Sequence, residues 1–306
     1  MPAVEVLVTG ASGFIGSALR PALISAGHRP IVAVRGREVP PGVDGIAWDP
    51  EAGSVDTQAM EGIGGVVHLA GAGIGDRRWT SARKQLILES RTKPTQFLAS
   101  TLAGLDRKPA VLVSSSATGY YGDRGDEVLT EQSPPGDDFP AHVCREWEAA
   151  ATPVIDAGIR LVTIRTGIVL GRGGGMLARV VPPFRLGLGG RLGSGRQYLS
   201  WVSLDDEVAA ILRALDQPSL SGPTNLTAPN PATNAEFTAT LGRVLHRPTP
   251  LPTPLPALRA AYGRELVDTL LLGGQRVMPA ALTADGFDFA HPTLQAALRA
   301  VLDRPT

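Results

Sequence analysis

The stretch Thr9-Gly10-Ala11-Ser12-Gly13-Phe14-Ile15-Gly16 follows an apolar run, Val4–Val8, and opens a helical pattern over Gly16–Ala26. Strand, glycine turn and helix in that order are the context in which a dinucleotide fingerprint has physical meaning. Gly10 permits the tight turn, Gly13 lets the backbone approach a pyrophosphate, and Gly16 lets helix and strand pack closely. The helix amino terminus then offers unpaired N–H groups and a positive dipole end to the phosphates. Cofactor contacts are therefore expected from Thr9, Gly10, Ser12, Gly13, Phe14, Ile15 and Gly16.

Beyond the turn, short apolar runs alternate with helical patterns. Strands are expected at Ile31–Val34, Ile46–Trp48, Val66–Leu69, Ala110–Val113 and Arg160–Arg165. Helices are expected at Ser81–Ala103, at Phe139–Ala157 (stopped by Gly158) and at Asp205–Leu215. Near-continuous apolar strands with helical crossovers predict an α/β fold, a doubly wound parallel sheet of Rossmann type buried on both faces. Residues 171–195 are rich in glycine and arginine, which reads as a mobile or ligand-facing loop, and Pro248–Pro256 is a stiff, proline-dense connector. The expected organisation is a nucleotide domain over 1–170 with 200–224 returning to it. A smaller, mostly helical substrate lobe then comprises 171–199 and 225–306.

The second strand ends Val34-Arg35-Gly36-Arg37, with no carboxylate at its tip. An acidic residue there would bind a ribose 2′-hydroxyl, whereas the planar guanidinium fork suits a 2′-phosphate. Arg35 thus points to NADP(H) over NAD(H). Trp48 either stacks beside the adenine or fills core.

Formal charge is zero, with 29 basic and 29 acidic residues, so no global field favours nucleic acid or an anionic membrane. One cysteine, Cys144, excludes an intramolecular disulfide and a cysteine-rich zinc site. No metal is expected. No apolar run approaches the ~20 residues that span a bilayer, and MPAVEVLVTG lacks the form of a secretory signal, so a cytoplasmic location is expected. The implied partner is a small molecule; the oligomeric state is not legible.

Several segments, in order, resemble the extended short-chain dehydrogenase/reductase superfamily: VTGASGFIG (Val8–Gly16), VVHLAGAGI (Val66–Ile74), VSSSATGYYG (Val113–Gly122), IRTGIVLG (Ile164–Gly171) and SWVSLDDEVAAI (Ser200–Ile211). RRWTSARK (Arg77–Lys84), VCREWEAAA (Val143–Ala151) and GQRVMPAALTADGFDFAHPTLQAAL (Gly274–Leu298) resemble its epimerase-family, sugar-epimerase-like branch. The resemblance covers essentially the whole chain. It implies further cofactor contacts at Leu69, Ala70, Gly71, Ser114 and Gly167, and implies that Ser116 is the serine that hydrogen-bonds a substrate hydroxyl or carbonyl.

The chain departs from the superfamily in its chemistry. The resemblance implies a Tyr-x-x-x-Lys pair in which tyrosine moves the proton and lysine binds the ribose and lowers the tyrosine pKa. No such pair occurs here; anchoring on Glu148 places Pro140 at the tyrosine and Cys144 at the lysine. Ser116 is then the expected catalytic hydroxyl, with Tyr121 as the substitute phenol, although Tyr120 and Tyr121 fit equally as loop packing. His142 is more naturally a surface residue, and Cys144 packs near the ribose. Arg77-Arg78-Trp79 either meets an anionic substrate or begins a helix over a tucked indole, and Asp205-Asp206 begins a helix. The expected function is an NADP(H)-binding, epimerase-like oxidoreductase acting on a hydroxyl or carbonyl of a small, sugar-like molecule. The alternative is a non-catalytic NADP(H) sensor.

Overall fold

The computed structural model describes residues 3–36 and 38–303; Arg37 lies outside the described residues. Eight strands form one sheet: β1 (Glu5–Thr9), β2 (Arg29–Arg35), β3 (Gly45–Asp49), β4 (Ser54–Val55), β5 (Gly65–His68), β6 (Val111–Ala117), β7 (Arg160–Thr166) and β8 (Gly222–Leu226). They lie in the order β8-β7-β6-β5-β1-β2-β3-β4. All pairs are parallel except the short β3–β4 hairpin. The chain leaves β1 toward β2 and later returns on the other side of β1 as β5. The strand order thus reverses between β1 and β5, the place where such sheets open a crevice for a ligand.

Side chains alternate across each strand. Val6 and Val8 pack on one face with Leu19 and Leu23 of α1 (Phe14–Ser25). Leu7 packs on the other with Leu98 and Leu102 of α2 (Ser81–Gly104). Both faces are covered, so an apolar run without alternating polarity is what this sheet needs. The helix expected over Phe139–Ala157 breaks in two: α3 (Phe139–Ala151) and a single turn, Pro153–Asp156. Pro153 has no N–H to give back to Ala149, whose carbonyl is taken instead by the Thr152 amide at 3.2 Å and hydroxyl at 2.9 Å.

α4 (Leu204–Asp216) lies on the same face as α1, with Ile211 and Leu215 in its core. A further core gathers Leu170, Phe184, Trp201, Phe237, Leu241 and Leu298 beyond the carboxy edge of the sheet. The glycine-rich segment after β7 is not loose. A Cβ at Gly174 would lie 2.3 Å from the Phe14 ring, and at Gly171 2.7 Å, so these glycines seat the aromatic ring of the cofactor turn.

Candidate functional site

The three glycines of the turn have three different reasons to be glycine. Gly10 has φ +68°, and a Cβ there would sit 2.9 Å from the Leu69 carbonyl carbon. At Gly16 a Cβ would come within 2.3 Å of the Gly10 carbonyl oxygen, so helix and strand touch through it. Gly13 has ordinary extended angles, φ −73° and ψ 174°, and a Cβ there meets only the Gly10 oxygen, at 3.1 Å. The Gly10 carbonyl would have to give by a few tenths of an ångström, so the backbone presses for glycine less at 13 than at 10 or 16, and beyond that oxygen nothing lies within 4 Å of the Cβ. Gly13 also caps α1 without any side-chain hydrogen bond, which leaves the first N–H groups available. A phosphate cradle fits this geometry.

Around the turn, Ser12 is exposed and Ile15 is half-buried. Thr9 is fully buried, its Oγ1 2.7 Å from His68 Nδ1 and accepting the Leu69 N–H at 3.2 Å. Its side chain ties β1 to β5, so only its backbone can serve a ligand. His68 Nε2 lies 2.9 Å from Thr95 Oγ1, and burial pushes this imidazole down to about 4. Ala70 is buried and Gly71 exposed just beyond β5. Ser114 is buried with its Oγ unpartnered, and Gly167 touches the Ser200 carbonyl so closely that a Cβ would lie 2.2 Å away.

Arg35 is exposed at the end of β2, as a phosphate ligand must be. Trp48 is corrected to core: it is buried among Ile46, Met60 and Val55, with its ring edge toward His68 at 6.2 Å. Four per cent exposure leaves an adenine almost nothing to stack on.

Beyond the serine run lies a buried polar network. Ser116 donates to Glu148 Oε1 at 2.7 Å, and Arg165 grips both Glu148 oxygens at 2.8 Å. Arg165 Nη1 donates to the Tyr121 hydroxyl at 3.0 Å, which donates to Asn225 Oδ1 at 2.7 Å. The Asn225 amide N–H and Ala281 N–H both reach Glu131 Oε1, at 3.0 and 3.1 Å, and Asn225 Nδ2 donates to the Met278 carbonyl at 3.0 Å. Tyr120 lies face-on to the Arg165 guanidinium at 3.4 Å. Burial opposes the Arg165 charge, and the Glu148 bonds outweigh it, holding the guanidinium charged.

This network corrects the expectation for Tyr121. Its phenol is wholly buried, both hydrogen bonds are committed, and burial raises its pKa above the usual range. A base must be reachable and readily ionised, and Tyr121 is neither. Ser116 is also buried and bound to Glu148, one layer behind the pocket surface.

The pocket itself is a cavity of about 230 Å³. It opens between the end of β6, α3, Arg91 of α2 and the segments around Tyr198 and Gln275. Pro140 and Cys144 both line it, one turn apart on α3, where the resemblance puts tyrosine and lysine. Burial pushes the Cys144 thiol up to about 12, so it is protonated at neutral pH and is no nucleophile. Asp138, the carboxylate of the lining, caps α3 by accepting the Ala141 N–H at 2.9 Å, and burial raises its pKa. His142 faces away, half-exposed and 3.9 Å from Glu146. Trp79 is tucked against Phe139, its Nε1–H donated to the Ile74 carbonyl at 2.9 Å, while Arg77 and Arg78 are exposed. Asp206 accepts the Ser203 hydroxyl and the Ala290 and His291 N–H groups at 2.7 to 3.1 Å, pinning the start of α4.

Arg91, Asp138 and Tyr198 are lining residues that sequence reading missed. For Arg91 a signal existed: Ile87, Arg91, Thr95, Leu98 and Leu102 recur at helical spacing and are all buried. An arginine on an apolar stripe is an anomaly that calls for a partner. Among the described residues no group of three or more His, Cys, Asp or Glu is placed to hold a metal, and no helix is long and apolar enough to cross a membrane.

Residues 6–226 match the model of the NAD dependent epimerase/dehydratase family, and residues 253–301 match a domain of unknown function, DUF1731. The chain is 48% identical over 300 residues to Epimerase family protein Mb2239 of Mycobacterium bovis, covering 98% of each chain. Human epimerase family protein SDR39U1 (isoform 2), crystallised with NADPH, superposes with a TM-score of 0.88 at 36% identity, covering 98% of this chain and 100% of that one. A nucleoside-diphosphate sugar epimerase from Corynebacterium glutamicum superposes with a TM-score of 0.79 at 37% identity, covering 98% of this chain and 58% of that one. With its glycine turn, its switch-point crevice and its whole length accounted for in this way, the chain belongs to the NAD dependent epimerase/dehydratase family.

Proposed function

We propose that this protein binds NADP(H) along the carboxy edge of its sheet and acts on a hydroxyl or carbonyl of a small, polar, sugar-like molecule held in the Cys144 cavity. The observation that carries the reading is the open side of Gly13 at an uncapped helix start. Arg35, exposed and unopposed by a carboxylate on its own strand tip, supports the 2′-phosphorylated cofactor. The NADPH in the human relative's structure agrees with it. The bound cofactor would supply or accept the hydride. This chain's residues would hold the phosphates at the turn and orient the substrate in the cavity. Among the lining side chains Asp138 is best suited to exchange a proton, because burial has moved its pKa toward neutrality.

A second reading, cofactor sensing without turnover, draws on the replacement of tyrosine and lysine by Pro140 and Cys144. Assaying NADPH oxidation with carbonyl metabolites, NADP⁺ reduction with hydroxyl metabolites, and substrate conversion in both panels separates the two; tight binding with no turnover on any of them is the sensor's outcome.

Cofactor choice is tested by titrating NADPH and NADH against wild type and Arg35→Ala. A charge-assisted pair is worth about 1.5–3 kcal/mol, so the variant should lose roughly ten- to a hundredfold in NADPH affinity and little for NADH. Equal wild-type affinities for the two cofactors would count against the 2′-phosphate role.

A further inference from the structure

Arg91 is a cation in an unusual position. Its side chain is nine-tenths buried on α2, yet it borders the cavity. Its guanidinium lies over the Trp147 ring at 4.9 Å and donates to the Ile87 carbonyl at 3.1 Å, an oxygen already used by the helix. Neither contact supplies a negative charge, no ion pair joins Arg91 to a carboxylate among the described residues, and burial works against its charge. A guanidinium stays charged in proteins and presents five donors in a flat fork. Among the described residues it donates to that one shared acceptor alone, and its Nε and Nη2 are not sealed into the core, so the fork keeps donors open to a ligand at the cavity wall.

Its place along the sheet edge is equally specific. Gly71 lies against it: a Cβ there would meet Arg91 Cγ, Cζ and Nε at 3.5 to 3.7 Å. Gly71 is two residues beyond Leu69, the residue that Gly10 of the cofactor turn touches. Arg91 therefore stands one short loop past the pyrophosphate cradle, on the cavity side. A dinucleotide laid across the switch point brings its nicotinamide-side ribose to that stretch. Cys144, its neighbour, holds the position where the resemblance implies a ribose-binding lysine.

We propose that Arg91, reaching in from α2, holds the vicinal hydroxyls of the nicotinamide-side ribose and takes over the ribose-binding role of the lysine that α3 lacks. The guanidinium donates and the two hydroxyl oxygens accept. Gly71 leaves the fork uncovered, and Trp147 supports its plane from behind. The inference rests on the NADP(H) reading and assigns a positioning residue within it.

The test dissects the cofactor by fragment. Calorimetric titrations compare NADPH with adenosine 2′,5′-bisphosphate, which carries the adenosine end and no second ribose. Arg91→Met keeps an unbranched apolar side chain on α2 and removes the donors. It should weaken NADPH by about ten- to a hundredfold and leave the bisphosphate within about twofold, and Arg91→Lys should recover part of the loss. Unchanged NADPH affinity, or equal loss of both ligands, overturns the proposal. A measurement on wild type alone covers the case of a variant that does not fold. Periodate opens the nicotinamide ribose of NADP⁺, its only vicinal diol, and the opened form should bind wild type more weakly by the same factor. Equal affinity for the opened and intact forms overturns the proposal. If wild type binds neither NADPH nor the bisphosphate, the cofactor reading falls with it. If wild type binds both and Arg91→Met changes neither, only the ribose assignment falls.

Discussion

At the scale of single residues, the glycine turn separates what the fold needs from what a ligand needs. Gly10 and Gly16 are required by the backbone around them, through a positive φ in one case and a 2.3 Å approach in the other. Gly13 is required by neither. Gly13→Val should therefore leave the far-ultraviolet circular dichroism unchanged and abolish NADPH binding in a titration, because the new side chain fills the cradle. Tight binding by a folded variant would make the turn merely structural. This division was legible in the sequence, since spacing and context identify the turn before any coordinates exist. The orientation of single side chains was not. Trp48 ends a strand beside the expected adenine site, but the pleat turns its ring into the core between β3 and α2, and no local pattern distinguishes the two faces of a three-residue run.

Among elements, the clearest lesson is β8. Gly222-Pro223-Thr224-Asn225-Leu226 has a glycine, a proline and two polar residues and lacks the apolar run by which the other long strands are expected, yet it is the edge strand beside β7. Asn225 is fully buried with its side-chain amide satisfied by Tyr121 and Met278, partners that come from distant parts of the chain. Long-range satisfaction of buried polar groups leaves no periodic trace. The same network hid the role of Tyr121, whose neighbours in sequence resemble an active-site strand end. Tyr121→Phe removes a donor from Asn225 and an acceptor from Arg165 inside the fold. It should cost about 1–3 kcal/mol of stability in urea unfolding and change NADPH affinity by less than about twofold. A large binding defect at unchanged stability would return the phenol to the pocket.

For the molecule as a whole, two buried groups give stability an asymmetric dependence on pH. Burial pushes Glu207 up to about 8, with the Thr166 hydroxyl donating to it at 2.8 Å. The folded state then holds a proton that the unfolded chain has lost between roughly pH 4.5 and 8, so stability falls as pH rises through that window. His68, pushed down to about 4, does the opposite: between roughly pH 4 and 6.5 the unfolded chain takes a proton that the folded state refuses, and stability rises with pH. The two slopes offset each other from about pH 4.5 to 6.5. From there to pH 8 a net decline of up to ~1.4 kcal/mol per pH unit remains. Urea midpoints measured across this range should show a plateau and then a fall, and Glu207→Gln should remove the fall; an identical decline in the variant would exonerate Glu207. The polar network also bears on how such a chain can be cut and recombined. The sheet is complete at Leu226, where the epimerase/dehydratase match also ends. Yet Glu131 and Asn225 find their remaining partners in Ala281 and Met278, inside the segment that matches the second family model. A gene shortened after Leu226 would encode every strand of the nucleotide sheet and leave buried polar groups unpaired beneath it. The two matched segments are thus joined through one buried polar network, and a fusion that exchanges the carboxy-terminal segment must bring a carbonyl and an amide to those same two side chains.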